Sequence, residues 1–390
     1  MSAGRRSVGL FTYSTLPRGS VVHAAALADA LVDLGWDATL YALDKDGRGF
    51  FRPLRARLRL VPAAPAPETT SELVRLRARE LADFLARHAP DHALFHAQDC
   101  LSANGLLAAR ARGAGVPLVR TVHHVERFDD PHLAACQERS IRDATLCLSV
   151  SRATRADVVA AFGVDAAVVG NGVDLRRFAE VDAAVVARWH TRHGGGGPVV
   201  LAVGGVEPRK NTTRILLAFA KLRARRPDLR LWILGGATVL DHGAYRATFD
   251  EALAGLDAGT RGAVVELGVV PDADVPAIFR AADVLATPSV HEGFGLVALE
   301  GLAAGVPVVA AARAPFTEFL DDACAVLVDP ASPDAIAAGL DRALAEAPRL
   351  ARAGRARARA HGWAAIAVRH VEHYERTASH ARDALSPSLA

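Results

Sequence analysis

Short β-like runs alternate with amphipathic helical runs over nearly the whole of this chain. That alternation admits few folds, because it demands parallel sheets covered by helices. In the first half, Val8 to Tyr13, Ala38 to Leu43, Ala93 to Phe95, Leu118 to Val122, Thr145 to Val150 and Ala167 to Val169 read as strands. Val21 to Leu34, Thr70 to His88, Cys100 to Gly113 and Ser151 to Phe162 read as the helices among them. The pattern breaks at His193-Gly194-Gly195-Gly196-Gly197-Pro198, where the run of glycines predicts a flexible joint. It restarts with strands at Val199 to Val203, Leu229 to Leu234, Val264 to Leu267, Val284 to Thr287, Val306 to Ala310 and Ala325 to Val328. Two doubly wound halves result. Ligands of such sheets bind at the carboxyl ends of the strands, which points to the crevice between the halves.

The expected domains are residues 1–190 and 198–362, each Rossmann-like. Residues 363–378 form a helical pattern with no strand after it and are expected to return to the first domain; residues 379–390 read as a disordered tail. A formal charge of +3 over 390 residues gives no support for a nucleic-acid partner. Cys100, Cys136, Cys147 and Cys324 are scattered without a CxxC pair, so a disulfide framework or zinc knuckle is disfavoured. No apolar run approaches the roughly 18–20 residues of a membrane span. Arg5-Arg6 before Val8 to Thr12 faintly mimics a signal peptide, but the apolar part is short and reads better as a first strand. A cytoplasmic location is the expectation.

The most telling local stretch is Ser289-Val290-His291-Glu292-Gly293-Phe294-Gly295-Leu296-Val297-Ala298-Leu299-Glu300. A strand precedes it, a glycine turn follows Glu292, and a helix begins at Leu296. Such a turn points main-chain N–H groups at an anion. Glu300 lies about two helical turns beyond Glu292, so two carboxylates flank a phosphate site, as a sugar nucleotide would need. Gly293-Phe294-Gly295 with Ala298 also fits the looser dinucleotide fingerprint. That fingerprint belongs after a first strand with an acid about 20 positions on, so a dehydrogenase is a poor reading.

Gly204-Gly205-Val206-Glu207-Pro208-Arg209-Lys210-Asn211 sits between a strand and the helix Thr212 to Arg223. Arg209 and Lys210 there are placed to neutralise a diphosphate, against the plainer reading of a solvated charge pair. Pro17-Arg18-Gly19-Ser20 links the first strand and helix, where Gly19 lets the backbone approach a ligand or merely turns the chain. His123 ends a strand, with His124 beside it and His96 and Asp99 on a neighbouring rim. It reads as a hydrogen-bonding or acid/base group or as a structural histidine. Metal binding by these histidines lacks a tight ligand spacing. Asp44-Lys45-Asp46 and Asp272-Ala273-Asp274 resemble metal-nucleotide pairs but read as surface loops. From Arg48 to Arg59 the alternation of Leu54, Ala56 and Leu58 with Arg55, Arg57 and Arg59 predicts a basic-faced edge strand. That face could meet anionic lipid or an anionic acceptor, and peripheral membrane contact stays unsupported. The Arg-rich run from Arg349 to Arg359 reads as a solvated helix face.

These residues resemble the retaining glycosyltransferases of family 4, which have the two-domain GT-B fold. The resemblance runs from Val8 to about Thr377 and is strongest from Val264 to Val309. That stretch includes Gly268, Arg280-Ala281-Ala282-Asp283, Pro288-Ser289 and Glu292-Gly293-Phe294-Gly295. Asn171-Gly172-Val173-Asp174 matches the turn before the family's linker and Trp363 its marker before the returning helix. The resemblance implies His123 beside the transferred sugar, Gly19 beside the diphosphate and Lys210 on the phosphates. It implies Glu292 on sugar hydroxyls, Glu300 on the ribose and the main chain near Val269 at the base. Many members carry an arginine where this chain has Gly205; Arg209 is the candidate to compensate.

The reaction so implied is transfer of a hexose from a UDP- or GDP-linked donor to an acceptor hydroxyl, with the anomeric configuration kept. No covalent nucleophile is assigned. With the diphosphate neutralised by protein groups no metal or cofactor is expected; the partners are the donor and a carbohydrate, lipid or small-molecule acceptor. The rival readings are a GT-B-like epimerase, a sugar phosphorylase and a non-catalytic nucleotide-sugar-binding subunit.

Overall fold

The computed structural model describes residues 6–88, 91–113, 115–236 and 243–385, with side chains as far as His380. The chain forms two compact units, one of residues 1–172 with 363–390, the other of Val173–Gly362.

The first unit runs β1 (Ser7–Thr12), α1 (Gly19–Asp33), β2 (Asp37–Asp44), β3 (Arg57–Pro62), α2 (Thr70–His88), β4 (Leu94–Ala97), α3 (Cys100–Ala111), β5 (Leu118–Val122), α4 (Pro131–Arg142), β6 (Leu146–Ser149), α5 (Arg152–Phe162) and β7 (Ala167–Val168). Its seven strands lie in the order β3-β2-β1-β4-β5-β6-β7, and every pairing is parallel. Strand order reverses between β1 and β4. A reversal of this kind opens a crevice at the carboxyl ends of the two strands.

The second unit begins with α6 (Leu175–Ala179) and α7 (Ala183–His193). It continues through β8 (Val199–Val203), α8 (Thr212–Arg223), β9 (Arg230–Leu234), α9 (Gly243–Ala254), α10 (Ala258–Arg261), β10 (Val264–Gly268), α11 (Val275–Ala281) and β11 (Val284–Thr287). It ends with α12 (Leu296–Ala304), β12 (Val308–Ala311), β13 (Val326–Val328), α13 (Pro333–Ala345) and α14 (Ala347–Arg359). Six parallel strands are ordered β10-β9-β8-β11-β12-β13, with the reversal between β8 and β11. Runs such as Val199-Val200-Leu201-Ala202 are apolar at every position because helices cover both faces.

α15 (Trp363–Leu385) completes the first unit. Trp363, Ile366, Ala367 and Tyr374 enter the same core as Val8, Leu10, Leu27 and Leu31. This helix is longer than the expected 363–378, so Ser379 and the next residues continue it rather than starting a tail. The remainder of that expected tail, residues 386–390, lies outside the described residues.

The expected joint at Gly194 to Gly197 is not where the units divide. Residues 173–193 belong to the second unit, and the glycines form a tight turn from α7 into β8. Gly194 caps α7 with its N–H on the His190 carbonyl, and Gly197 N–H bonds back to the Gly194 carbonyl. The division falls instead at Gly172/Val173 and Gly362/Trp363. The basic run is a strand only from Arg57; Phe50 and Leu54 before it pack against the first core, as Leu58 does within it. Asp272 is not a solvated loop acid: Arg177 holds its carboxylate at 2.6 and 2.9 Å within the second unit.

Candidate active site

Most of the singled-out residues follow the carboxyl ends of parallel strands. In the second unit, Lys210 and Arg209 follow β8, and Glu292 follows β11, the two strands that flank the reversal. The loops are tied together: Val290 N–H donates to the Arg209 carbonyl at 3.0 Å, and Asn211 Nδ2 donates to the carbonyls of Pro288 (3.0 Å) and Pro330 (2.7 Å). Asn211 stands in the left-handed region with φ 64°, the one non-glycine to do so among the described residues. That conformation turns the chain into α8 immediately after Lys210. The sequence reading missed Asn211. An Asn at a helix start after two cations was the available signal.

Glu292 is the centre of the cluster. Its carboxylate receives Lys210 Nζ at 2.5 Å and Arg209 Nη1 at 2.9 Å, while Arg209 Nε reaches Glu207 at 2.9 Å. Burial opposes ionisation of Glu292, but the Lys210 and Arg209 charges outweigh it and hold its pKa down to about 2. The carboxylate is charged and fixed, and both cations are fixed with it.

Gly204 and Gly205 explain how Lys210 reaches this point. Lys210's stem lies over Gly204, where a Cβ would fall 2.8 Å from its Cε. Gly205 has φ 74°, and a Cβ there would sit 2.7 Å from the Gly236 carbonyl oxygen. No side chain fits at 205 in this backbone, and the second cation comes from position 209.

Three of the four helix starts beside the reversal points are open, the exception being α3 after β4, capped by Asp99. α1, α8 and α12 all begin without a side-chain cap, whereas Asp99, Asp130, Ser151, Asp174, Asp182 and Ser332 cap other helices. α11 and α14 also lack one but carry proline in their first turn. First-turn N–H groups without a cap, together with the helix dipole, favour an anion. Gly295 precedes α12 with φ 102°, and Gly19 opens α1 with nothing within 4 Å of where its Cβ would be. Gly293 lies in the same turn as Gly295. The Phe294 ring is buried, stacked on Phe319 at 4.7 Å, so its main chain is what it offers a ligand. Glu300 is half-buried in α12. Val269, 82% exposed, follows β10 and packs beside Gly236 at the end of β9.

In the first unit, His123 is half-buried just beyond β5. Its Nε2 lies 2.9 Å from Gln98 Oε1, and its ring meets His23 edge-on at 4.8 Å. Burial, then His23 and Arg120, push its pKa well below the ordinary histidine value, so the ring is neutral. Behind it, His96 is fully buried between Thr121 Oγ1 at 2.7 Å and the Tyr374 hydroxyl at 2.5 Å. Gln98 was not singled out from the sequence. Nothing in a strand-end glutamine marks it until the fold places it between two histidines.

The profile of the family described as Glycosyl transferases group 1 matches residues 186–360, and that of Glycosyltransferase Family 4 matches residues 17–177. The chain is 33% identical to a GDP-mannose-dependent alpha-(1-6)-phosphatidylinositol monomannoside mannosyltransferase of Mycolicibacterium smegmatis, over 80% of this chain and 79% of that protein. It is 33% identical to a D-inositol 3-phosphate glycosyltransferase of Salinispora tropica, over 76% of this chain and 66% of that relative's length. Among solved structures, it is similar to a sucrose-phosphate synthase from Thermosynechococcus elongatus (TM-score 0.78, 21% identity, 95% of this chain and 99% of that one). It is also similar to the Anabaena protein HepE solved with UDP and glucose (TM-score 0.76, 20% identity, 94% and 99%).

Proposed function

Because this chain belongs to family 4 of the GT-B glycosyltransferases, enzymes that use nucleotide sugars, we propose that it moves a hexose from a UDP- or GDP-linked donor to an acceptor hydroxyl, with retention and without a metal. The observation that carries this reading is the Lys210–Glu292–Arg209 cluster at the open starts of α8 and α12. Cleaving the anomeric C–O bond places negative charge on the departing diphosphate. Lys210, Arg209 and the first-turn N–H groups of α12 supply fixed positive ends where that charge develops, without reorganisation at the moment of reaction. Charge supplied by side chains is the physical argument for independence from a divalent ion.

Glu292 is assigned the sugar hydroxyls, as a carboxylate that stays ionised and accepts hydrogen bonds. An arriving diphosphate takes over the two cations that Glu292 and Glu207 hold in place beforehand. His123, neutral, is assigned a hydroxyl of the same sugar. Glu300 takes the ribose, and the backbone at Val269 the base. Retention follows from attack on the face the diphosphate leaves, the diphosphate oxygen itself taking the acceptor proton; no side chain is required as a nucleophile. The relative that depends on GDP-mannose supports a GDP-hexose as one of the two donor classes.

A donor panel tests the reading. UDP- and GDP-hexoses are first ranked by the rise they produce in melting temperature, since a ligand that prefers the native state stabilises it. The ranked donors are then followed for release of the nucleoside diphosphate in EDTA. Lys210→Ala and Glu292→Ala are expected to lower turnover by at least about a hundredfold, the scale seen when a charge-stabilising donor is removed. Isomerised sugar nucleotide without acceptor would identify an epimerase instead, and phosphate-dependent release of sugar phosphate a phosphorylase.

A further inference from the structure

We infer that Gln98 is a positioning residue for the transfer reaction: its amide fixes which nitrogen of His123 is free to accept a hydrogen bond from the donor sugar. The inference rests on the assignment of His123 to the sugar made above.

The observation is an unbroken hydrogen-bond chain inside the first unit. Gln98 follows β4, is buried, and has its main-chain N–H on the Phe11 carbonyl at 3.0 Å. Its Oε1 lies 2.9 Å from His123 Nε2, and its Nε2 lies 3.1 Å from His96 Nε2. His96 is wedged between β5, through Thr121 Oγ1 at 2.7 Å, and α15, through the Tyr374 hydroxyl at 2.5 Å.

Proton positions follow from the network. An amide oxygen only accepts, so His123 donates from Nε2 and keeps its lone pair on Nδ1. The Gln98 N–H faces the His96 ring, 3.1 Å from its Nε2 and 3.4 Å from its Nδ1, and the Thr121 hydroxyl donates to Nε2. His96 is then protonated on Nδ1 and donates to the Tyr374 oxygen. This arrangement holds His123 with its proton on Nε2. With Nε2 committed, Nδ1 is the nitrogen through which His123 accepts a sugar hydroxyl.

The surroundings keep this state neutral. The titratable groups around His123 are His23 on α1, His96 on β4, Arg120 on β5 and the adjacent His124. His96 in turn feels His370 on α15, His23 and Arg120. Arg120 is itself buried and donates to the Thr121 carbonyl. No carboxylate is among these groups, so nothing in the set favours an imidazolium. Reversing the Gln98 amide would require His123 to accept at Nε2 and donate from Nδ1, which cannot take a hydrogen bond from a hydroxyl.

The test uses Gln98→Leu, Gln98→Glu and Tyr374→Phe in the full chain, with His123→Ala as the reference. Nucleoside diphosphate release is followed from pH 5 to 9, and melting temperature reports the fold. Gln98→Leu is expected to lower kcat by about tenfold to a hundredfold with little change in donor KM, the range typical when a ligating histidine loses its orienting partner. Gln98→Glu places a carboxylate against His123 and favours its charged form, which cannot accept at Nδ1. The acid limb of its rate profile is expected to move up by at least about one pH unit, a change that loose packing alone would not produce. Tyr374→Phe removes the far anchor and is expected to lower kcat several-fold even if neither Gln98 variant folds. Wild-type kcat and an unmoved pH profile in the folded variants, with His123→Ala slow, would overturn the positioning role alone. A near-normal His123→Ala would instead overturn the assignment beneath it.

Discussion

At the residue scale, the site depends on a few side chains whose charge or backbone conformation has no substitute. Asn211 adds hydrogen bonding to the backbone constraint: a left-handed φ of 64° and two donated bonds to carbonyls. Asn211→Ala loses the bonds and strains the backbone, at a cost of roughly 2–4 kcal/mol. Asn211→Gly loses only the bonds and is expected to be about 1 kcal/mol less damaging. Urea denaturation of the two variants measures the gap, and equal losses would show that the backbone conformation carries no weight. Glu292, half-buried between its two cations, was legible from the sequence as a residue. Its pairing was not: the pattern showed two cations after one strand and a carboxylate after another. Only the order β8-β11 makes those strands neighbours.

At the element scale, the helix that ends the first unit is anchored by one aromatic. Trp363 packs edge-on to His23 at 5.0 Å and lies over Gly172, where a Cβ would fall 2.7 Å from the ring. Trp363→Ala is expected to destabilise the first unit by about 3–5 kcal/mol. Calorimetry reads this as a lower first transition with the second unit's transition in place; a melting profile identical to wild type would contradict it. The start of α12 makes a second case. A Cβ at Gly295 would lie 2.5 Å from Phe316 Cε1 at a φ of 102°, so Gly295→Ala must move the turn that carries Glu292. Donor binding, read by thermal shift, is expected to weaken by tenfold or more, and unchanged binding would refute that role. Strands and helices at these sites were legible because their apolar periods are strong. The glycine run before β8 misled because composition alone does not distinguish a free linker from a turn; here Gly197 abuts the Asp228 carbonyl.

At the scale of the whole molecule, the two units lose stability to acid in different pH ranges. Burial lowers His23 to about 3 and His370 to about 4, and drives His96 well below the ordinary value. Between about pH 6.5 and 4 the unfolded chain binds protons that the folded first unit refuses. Stability is therefore full above about pH 6.5 and falls as pH drops, by up to about 1.4 kcal/mol per pH unit for each such histidine. The Glu292 contribution in the second unit runs differently: it is present above about pH 4.5 and is lost only as pH falls through about 2. Calorimetry at pH 7 and pH 5 is expected to lower the first unit's transition well before the second's, and His23→Gln to reduce that sensitivity. Equal melting at both pH values would contradict it. The histidine cluster was invisible in the sequence, since His23, His96 and His370 lie on α1, β4 and α15 and meet only through the fold.

The central claim is that fixed protein charges at Lys210, Arg209 and the start of α12 carry the departing diphosphate in a retaining transfer. The most direct measurement is a proton NMR time course of UDP- and GDP-hexoses with the protein in EDTA, beside Lys210→Ala. The account predicts release of the nucleoside diphosphate with the α-hexose appearing before its β anomer, and at least about a hundredfold less of both in the variant. Release of the β-hexose first, a requirement for divalent metal, or equal turnover in Lys210→Ala would contradict it.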